Sequence, residues 1–211
     1  MKGYETTSAD PVSYCAYASL RLNSYTKSFG LTGNQITDLR PVASLRNLKS
    51  LHLTDNEAED LSPLMKLTNL EVLAISGNKI SDVSPLANLD NLRYLNLADN
   101  QVTDVAPLSK LANLSHLALN DNQITNITSL AGLTDLYILV LGDNLISDLT
   151  PLAHLTGLER LYFSNNLITD ASPLAGLTNL ENLDLSGNPL RDPICPVRPT
   201  NVCRTPLDKR P

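Results

Sequence analysis

Asparagine recurs at an unbroken spacing of 22 residues across most of the 211-residue chain, and this spacing constrains the fold more than any other feature. A fixed period of about 20 to 30 residues is typical of a solenoid, in which each repeat buries its apolar face only against its neighbours. Such an architecture favours a binding function over a catalytic one. The eight asparagines, which define repeats 1 to 8, are Asn34, Asn56, Asn78, Asn100, Asn122, Asn144, Asn166 and Asn188.

Apolar residues stand at fixed distances from each asparagine. In repeat 4, leucines lie eight, five and three residues before Asn100, and Val102 lies two residues after it. The shared frame is L-x-x-L-x-L-x-x-N-x-I, which is that of the leucine-rich repeat. The alternation around L-x-L has the two-residue period of a short strand, with the leucines turned inward. We therefore expect seven or eight strands in one parallel sheet.

The second half of each repeat predicts a short helical turn. Most repeats continue with an aspartate and then Ser or Thr before Pro, as in Asp82-Val-Ser-Pro and Asp148-Leu-Thr-Pro. The Ser or Thr is expected to cap a helix that begins at the Pro, and the apolar spacing that follows favours a 3₁₀ or single-turn helix. With strands on the concave face and helical turns on the convex face, we predict a right-handed α/β solenoid of leucine-rich repeats.

Two polar columns have structural interpretations. An asparagine side chain at the bend after each strand can donate to and accept from backbone groups that would otherwise be buried without partners. Stacked in every repeat, the asparagines form a spine along the solenoid. The aspartate four residues later, which Asn126 replaces in repeat 5, is expected to cap the following turn in the same way. Neither column is therefore interpreted as a row of catalytic groups.

Composition and charge limit the classes of partner. Apolar residues make up 42% of the chain and aromatic residues 4%, which indicates a core of stacked leucines in one domain. The net charge of −6 argues against nucleic acid or an anionic membrane surface as partner. No apolar run is long enough to span a bilayer, and the first residues lack the apolar segment of a signal peptide. A cytoplasmic location is favoured unless the chain is a trimmed secreted form.

The repeat pattern decays at both ends. Residues 1–27 are interpreted as a degenerate first repeat or N-terminal cap, with a short helix beginning at Asp10-Pro11. The repeats occupy residues 28–194, and residues 195–211 form a C-terminal cap whose prolines are expected to end the sheet, because proline offers no N–H to a ladder. Cys195 and Cys203 either close a small loop as a disulfide or remain buried free thiols. Cys15 is too distant to pair with either, so at least one cysteine is free or links molecules.

The repeat frame closely resembles the leucine-rich repeats of the internalin-like bacterial class. One stretch matches that class through a whole repeat: Leu92-Arg-Tyr-Leu-Asn-Leu-Ala-Asp-Asn-Gln-Val-Thr-Asp-Val-Ala-Pro-Leu-Ser-Lys-Leu-Ala-Asn-Leu. The Cys-Pro-Val and Cys closure of the tail is similar to that found after such repeats in cyanobacterial proteins. In contrast to internalins, no helical N-terminal cap domain or immunoglobulin-like domain is recognisable in the sequence. The resemblance therefore implies the fold, and cell-invasion activity does not follow from it.

Function is expected at strand positions that the fold does not constrain. These are the outward-facing residues six and four before each asparagine, above a column of small residues two before it. In repeats 4 to 8 they include aromatic, β-branched and charged residues, a composition typical of a protein-binding hot spot. The alternative is that the Ile and Val reflect strand propensity alone. The predicted partner-binding residues are Tyr94, His116, Ile138, Val140, Arg160, Tyr162 and Asp184.

A second candidate surface is the rim formed by the residue directly before each asparagine. Asp99, Asp121 and Asp143 occupy this position in consecutive repeats, where we expect their carboxylates to lie about 5 Å apart. They could meet a basic partner or a cation, because positive charge would relieve their mutual repulsion. The alternative is that aspartate there only stabilises a turn.

No catalytic motif is present, so the chain is predicted not to be an enzyme and to need neither cofactor nor metal. His52 and His116 lie three repeats apart, roughly 14 Å at the spacing of stacked strands, and His154 is on the convex side. We predict a monomeric module that binds a protein, and not nucleic acid or a membrane, through its concave face. The alternative is a structural or self-associating repeat unit without a specific ligand on that face.

Overall fold

The computed structural model describes residues 26–192 and 194–205, which fold into one parallel β-sheet backed by short 3₁₀ turns. The strands lie in the sheet in the order in which they follow along the chain, so each pairs with its sequence neighbours. This arrangement confirms the predicted solenoid. The described strands are β1 (Ser28–Gly30), β2 (Ser50–His52), β3 (Val72–Ala74), β4 (Tyr94–Asn96), β5 (His116–Ala118), β6 (Ile138–Val140), β7 (Arg160–Tyr162), β8 (Asn182–Asp184) and β9 (Cys203–Arg204).

Strand pairing reproduces the spacing of the sequence repeat. From β1 to β8 each residue pairs with the residue 22 positions further on, as Leu73 does with Leu95. Because side chains alternate across a strand, the central leucines all enter the core while the residues on either side of them face outward. The register is strongly specified, since a slip of one residue would turn every central leucine toward solvent.

Short 3₁₀ turns connect consecutive strands from β1 to β8 and close the core on the convex side. Each turn buries one aliphatic side chain, such as Leu86 or Leu108. Together with the strand leucines, these residues form one hydrophobic core that runs along the described solenoid. The turns are Arg40–Ser44, Ser62–Leu64, Ser84–Leu86, Ala106–Lys110, Thr128–Gly132, Thr150–Leu152 and Ser172–Gly176.

Aspartate, and not the predicted Ser or Thr, caps these turns. Asp82 Oδ1 accepts the backbone N–H of Ser84 at 2.8 Å, and its Oδ2 accepts the Ser84 hydroxyl at 2.9 Å. The serine is itself the first residue of the turn, so its hydroxyl points back to the carboxylate and caps no backbone group. Asp60, Asp148 and Asn126 accept the equivalent backbone bond. The prediction for the hydroxyl residue is wrong, and that for the aspartate column is confirmed.

The asparagine spine links adjacent repeats through buried hydrogen bonds. Asn100 Oδ1 accepts the backbone N–H of Ile80 in the preceding repeat at 2.9 Å. Its Nδ2 donates to the carbonyl oxygen of Ile75 in that repeat, and to those of Leu97 and Ala98 in its own, each at 3.1 Å. The Asn100 residue is only 9% exposed. From Asn56 to Asn188, each amide therefore satisfies backbone groups of two repeats at once, as the sequence interpretation predicts.

A second asparagine row on the convex side was not identified from the sequence. Asn91 Nδ2 donates to the carbonyl oxygen of Thr68 at 2.8 Å, and Asn113 Nδ2 donates to that of Asp90 at 2.7 Å. Asn69 and Asn179 make the same bond to the carbonyl 23 residues before them. Asp135 and Gly157 occupy the corresponding positions of the two repeats between, so this row is interrupted where the spine is continuous.

The C-terminal cap extends the sheet instead of ending it. Cys203 and Arg204 form β9, in which Cys203 pairs with Leu183, and the Arg204 carbonyl accepts the Leu185 N–H at 2.7 Å. The expectation that prolines would end the sheet is wrong, because the paired residues of β9 carry no proline and the prolines lie outside the strand. Cys195 and Cys203 are joined by a disulfide. Of the two redox states left open by the sequence, the structure has the oxidised one.

The predicted N-terminal cap, including the helix at Asp10-Pro11, lies outside the described residues, and so does Cys15. Among the residues that the structure does describe, no helix is long and apolar enough to cross a membrane. The structure therefore describes the repeats and most of the C-terminal cap.

Replacing Asn100 by Ala should lower the free energy of unfolding by about 2 to 4 kcal/mol, because a buried N–H and three carbonyl oxygens lose their partner. Asn100→Asp should cost at least as much at neutral pH, since a carboxylate oxygen would face those carbonyl oxygens. Urea unfolding followed by circular dichroism measures both changes, with the exposed Gln101→Ala as control. An unchanged midpoint for Asn100→Ala would contradict the role of the spine.

Replacing both Cys195 and Cys203 by Ser should loosen the cap by about 2 to 3 kcal/mol, because the disulfide restricts the unfolded loop. Hydrogen exchange should accelerate at the Leu185 N–H, which donates to β9. The Leu119 N–H at the centre of the solenoid serves as the internal control and should keep its rate, because each repeat contacts chiefly its neighbours. Equal acceleration at both amides would show that the cap stabilises the whole array.

Candidate functional site

The predicted partner-binding residues form two adjacent rows on the outward face of the sheet. In the first row Tyr94 pairs with His116, His116 with Ile138, and Ile138 with Arg160. In the second row Val140 pairs with Tyr162, which in turn pairs with Asp184. These seven residues, hereafter the concave patch, are continuous across β4 to β8. At about 4.8 Å between strands, the patch is about 20 Å wide.

An aromatic cluster lies at one end of the concave patch. The His116 ring centroid is 6.1 Å from that of Tyr94 and 5.8 Å from that of Tyr137, and the rings are tilted at 34° and 42°. Such tilted contacts are favourable for aromatic pairs beyond the area they bury. Ser115 Oγ lies 2.9 Å from His116 Nδ1 and restrains the imidazole. The cluster is therefore held in place before any partner arrives.

Tyr137 was missed by sequence reasoning. It stands seven residues before Asn144, at the strand entrance, one position outside the columns from which the partner-binding residues were chosen. Its phenol donates a hydrogen bond to the Glu159 carboxylate, and this bond raises the Tyr137 pKa. The signal that could have found it is that Tyr137 is the only aromatic residue in its column, whose other members in repeats 1 to 8 are Lys27, Lys49, Glu71, Arg93, Ser115, Glu159 and Glu181.

The members of the concave patch differ in how freely they can meet a partner. Tyr94 is 36% exposed, Arg160 is exposed, and Ile138 and Val140 are half-buried. Within the described residues Arg160 makes no salt bridge, so its guanidinium is available. The Asp184 carboxylate is less available to a partner than Arg160, because its Oδ1 already accepts both the backbone N–H and the hydroxyl of Ser186. The available side chains are thus mainly aromatic, aliphatic and cationic.

The histidines of the described chain are not brought together. His52 lies on β2, where its Nε2 is 2.8 Å from Ser50 Oγ, whereas His116 lies three strands away on β5. His154 is exposed on the convex side. Across residues 26–192 and 194–205, no three His, Cys, Asp or Glu side chains are grouped so that they could hold a metal ion.

The rim aspartates sit where the backbone adopts a left-handed conformation. Asp99, Asp121 and Asp143 have φ values of 52°, 55° and 54°. In this region only Gly, Asn and Asp are common, because other side chains crowd the following carbonyl. The same position is filled in the other repeats only by these types, namely Gly33, Asp55, Gly77, Asn165 and Gly187, all with positive φ. Backbone geometry therefore accounts for aspartate here, and the carboxylates remain exposed.

A cleft of about 450 Å³ opens between the last repeat and the C-terminal cap. Asp170 and Asp192 line it together with Arg191. Both carboxylates already accept backbone N–H bonds, from Ser172 at 2.8 Å and from Ile194 at 3.1 Å. Both acids therefore have a structural role in their own turns, and the cleft is not interpreted as a site.

Comparison with known proteins gives one family and several similar structures. The family model for leucine rich repeats (2 copies) matches residues 68–110, 90–132, 112–154 and 156–198. Internalin C2 from Listeria monocytogenes is 41% identical with a TM-score of 0.79, over 83% of this chain and 77% of that one. A leucine-rich repeat protein of Leptospira interrogans is 32% identical with a TM-score of 0.75, over 79% of this chain and 44% of that one.

A plant structure is similar as well. The leucine-rich repeat ectodomain of the membrane receptor kinase GASSHO1/SCHENGEN3 from Arabidopsis thaliana is 30% identical with a TM-score of 0.69. The match covers 78% of this chain and 21% of that one, whose structure was solved in complex with CASPARIAN STRIP INTEGRITY FACTOR 2. A comparison with curated proteins gives no match.

A pair of substitutions at Asp121 separates its backbone role from its charge. Asp121→Gly should leave the free energy of unfolding within about 0.5 kcal/mol of wild type, because Gly adopts a φ of 55° without cost. Asp121→Val removes the same charge but should cost about 1 to 2 kcal/mol, since a β-branched side chain is crowded in this conformation. Urea unfolding of both variants tests this, and equal stabilities would contradict the backbone explanation.

Proposed function

The chain belongs to the leucine-rich repeat family, in its internalin-like bacterial class, and we propose that it is a non-catalytic module that binds a partner protein through the concave patch. Leucine-rich repeat proteins generally mediate protein–protein interactions. The finer part of the proposal, the surface used, rests on the concave patch itself.

The observation that carries the proposal is the preorganised aromatic cluster of Tyr94, His116 and Tyr137. Aromatic side chains have few rotatable bonds, so little entropy is lost when a partner covers them. Next to the cluster, half-buried Ile138 and Val140 supply apolar area, and the exposed Arg160 supplies an unpaired cation. Binding hot spots are typically built from such aromatic and arginine anchors with apolar surroundings.

The similar plant ectodomain supports a macromolecular ligand. Its structure contains CASPARIAN STRIP INTEGRITY FACTOR 2, so a solenoid of related repeats forms a complex in that case. In this chain the concave patch is about 20 Å wide and two rows deep, which is the size of a hot spot at the centre of an interface and less than the roughly 800 Å² that each partner of a standard interface buries. An open sheet face of this kind suits a protein surface or an extended segment better than a small molecule, because small molecules are usually enclosed by a pocket.

The absence of catalysis is part of the proposal. General acid–base chemistry needs groups within hydrogen-bond reach of one another and of the substrate. His116 has Ser115 within reach, but among the described residues no carboxylate bonds to its imidazole, and the ring packs against those of Tyr94 and Tyr137 as a contact surface. His52 is similarly held by Ser50 on a distant strand.

Replacing Tyr94, His116 and Tyr162 together by Ala should reduce recovery of the partner by about tenfold or more, because two of the three rings of the aromatic cluster and the Tyr162 ring of the second row are removed. The measurement is affinity capture from the host lysate with quantitative mass spectrometry, after circular dichroism has confirmed the fold. The matched control is Ser50→Ala with His52→Ala, on the same face of β2 but outside the concave patch.

Two outcomes would contradict the proposal. Undiminished partner recovery by the folded triple variant would exclude the concave patch as the binding surface. If wild type recovers only copies of itself, and the triple variant does so equally, the chain is a self-associating repeat unit, which is the alternative that the sequence left open.

A further inference from the structure

Two leucines are exposed on the flank of the solenoid, away from the concave patch. Leu145 is 48% exposed and Leu167 is 51% exposed, and both directly follow the asparagine of their repeat. Pro189, also exposed, takes this position in repeat 8. We call these three residues the leucine strip. In repeats 1 to 5 the same column is polar throughout: Gln35, Glu57, Lys79, Gln101 and Gln123.

The fold does not require leucine at these positions. The backbone N–H of Leu145 donates to Ile124 and that of Leu167 to Ile146, each at 2.9 Å, so the main chain is fixed whatever the side chain. Gln101 and Gln123 make the equivalent backbone bonds with polar side chains. About half of the surface of each leucine is left in water at a position where repeats 1 to 5 carry a polar side chain, and this apolar surface points to a contact with another molecule.

Side chains in this column reach one another across neighbouring repeats. Lys79 Nζ lies 2.8 Å from Glu57 Oε2, one repeat away in the same column. Leu145, Leu167 and Pro189 follow one another at the same spacing, so the leucine strip is an apolar row across three neighbouring repeats. Its length is about 10 Å at the spacing of stacked repeats, which suits a short segment.

Carboxylates flank the leucine strip on both sides along the chain. On the sheet side is Asp143, two residues before Leu145, whose carboxylate is held by the Asn165 side chain at 2.8 Å; Asp121 takes the same position one repeat before the strip. On the convex side are Asp148, Asp170 and Asp192, three residues after each position of the strip. The N–H and hydroxyl of Ser172 lower the Asp170 pKa, so this group stays ionised. Arg191 is the one basic residue among them, beside Asp170.

We propose that the leucine strip is a second docking surface, which binds a partner segment that combines apolar side chains with lysine or arginine. The apolar side chains cover Leu145 and Leu167, and the cations meet the flanking carboxylates. The carboxylates select the charge of the partner, and the leucines supply the apolar area. This surface is separate from the concave patch and uses the acidic rim, whose aspartates are placed by backbone geometry, as its border.

The test uses Leu145→Gln with Leu167→Gln, which gives repeats 6 and 7 the residue that repeats 4 and 5 already carry. The variant keeps the net charge of wild type, so any change in binding reflects the apolar surface. The probe is a short fluorescent peptide of alternating Leu and Lys. Two matched peptides replace either every Leu by Ser or every Lys by Glu. Fluorescence anisotropy measures the affinity of each peptide for each protein.

The Leu/Lys peptide should bind wild type about tenfold or more tightly than the double Gln variant. The Ser/Lys peptide should bind both proteins equally weakly, and the Leu/Glu peptide should not bind. The Tyr94, His116 and Tyr162 triple Ala variant should bind the Leu/Lys peptide as wild type does, so failure of the concave patch and failure of the strip can be told apart.

Three results would overturn the proposal. Equal affinity of the Leu/Lys peptide for wild type and the double Gln variant would exclude the leucines. Binding of the Leu/Glu peptide as tight as that of Leu/Lys would exclude selection by the carboxylates. Sedimentation analysis that found a wild-type dimer, lost in the double Gln variant, would assign the leucine strip to a second copy of the chain.

Discussion

An asparagine amide at the same bend of every repeat, buried in six of the eight, is the interaction on which this solenoid depends. The bend after each strand turns backbone N–H and C=O groups toward the leucine core, where leaving them unpaired would be costly. Asparagine carries a donor and an acceptor on one short side chain, so Asn100 can accept from Ile80 while donating to carbonyls of two repeats. A carboxylate lacks the donor. The same bonds that satisfy the bend therefore also join each repeat to the one before it.

Coupling of this kind is local, and it leaves much of the surface free to vary. Each repeat contacts chiefly its neighbours, so side chains outside the frame can change without disturbing the fold. In this chain the variation is concentrated in one half of the array. Outward-facing aromatic residues begin at β4, and the flank turns from polar to apolar at Leu145. The disulfide and β9 close the same end, where Arg204 of the cap pairs with Asp184 of the concave patch.

Sequence reasoning succeeded for the repeat frame. It failed where two residue types could fill one role and where the frame ends. The 22-residue period predicted the parallel sheet, its register and the two rows of the concave patch, because every repeat supplied the same information again. It assigned a cap to the hydroxyl residue of each turn as well as to the aspartate, because both residue types can cap and only the geometry shows that Asp82, and not Ser84, accepts the N–H. It also ended the sheet at the tail prolines, since it could not show that Cys203 and Arg204 would reach β8.

By itself the sequence determined the architecture and which columns face solvent, because a strand with a buried leucine on one face has one register against its neighbour. The tertiary structure decided which residues of different repeats meet. It placed Tyr137 against His116, paired its phenol with Glu159, and fixed the rim aspartates in a left-handed backbone conformation. The Tyr137 contacts depend on side-chain rotamers that occur once and are therefore invisible to a pattern that only repetition reveals. The left-handed backbone recurs in every repeat, but its dihedral angle is a property of the folded bend and not of the residue type.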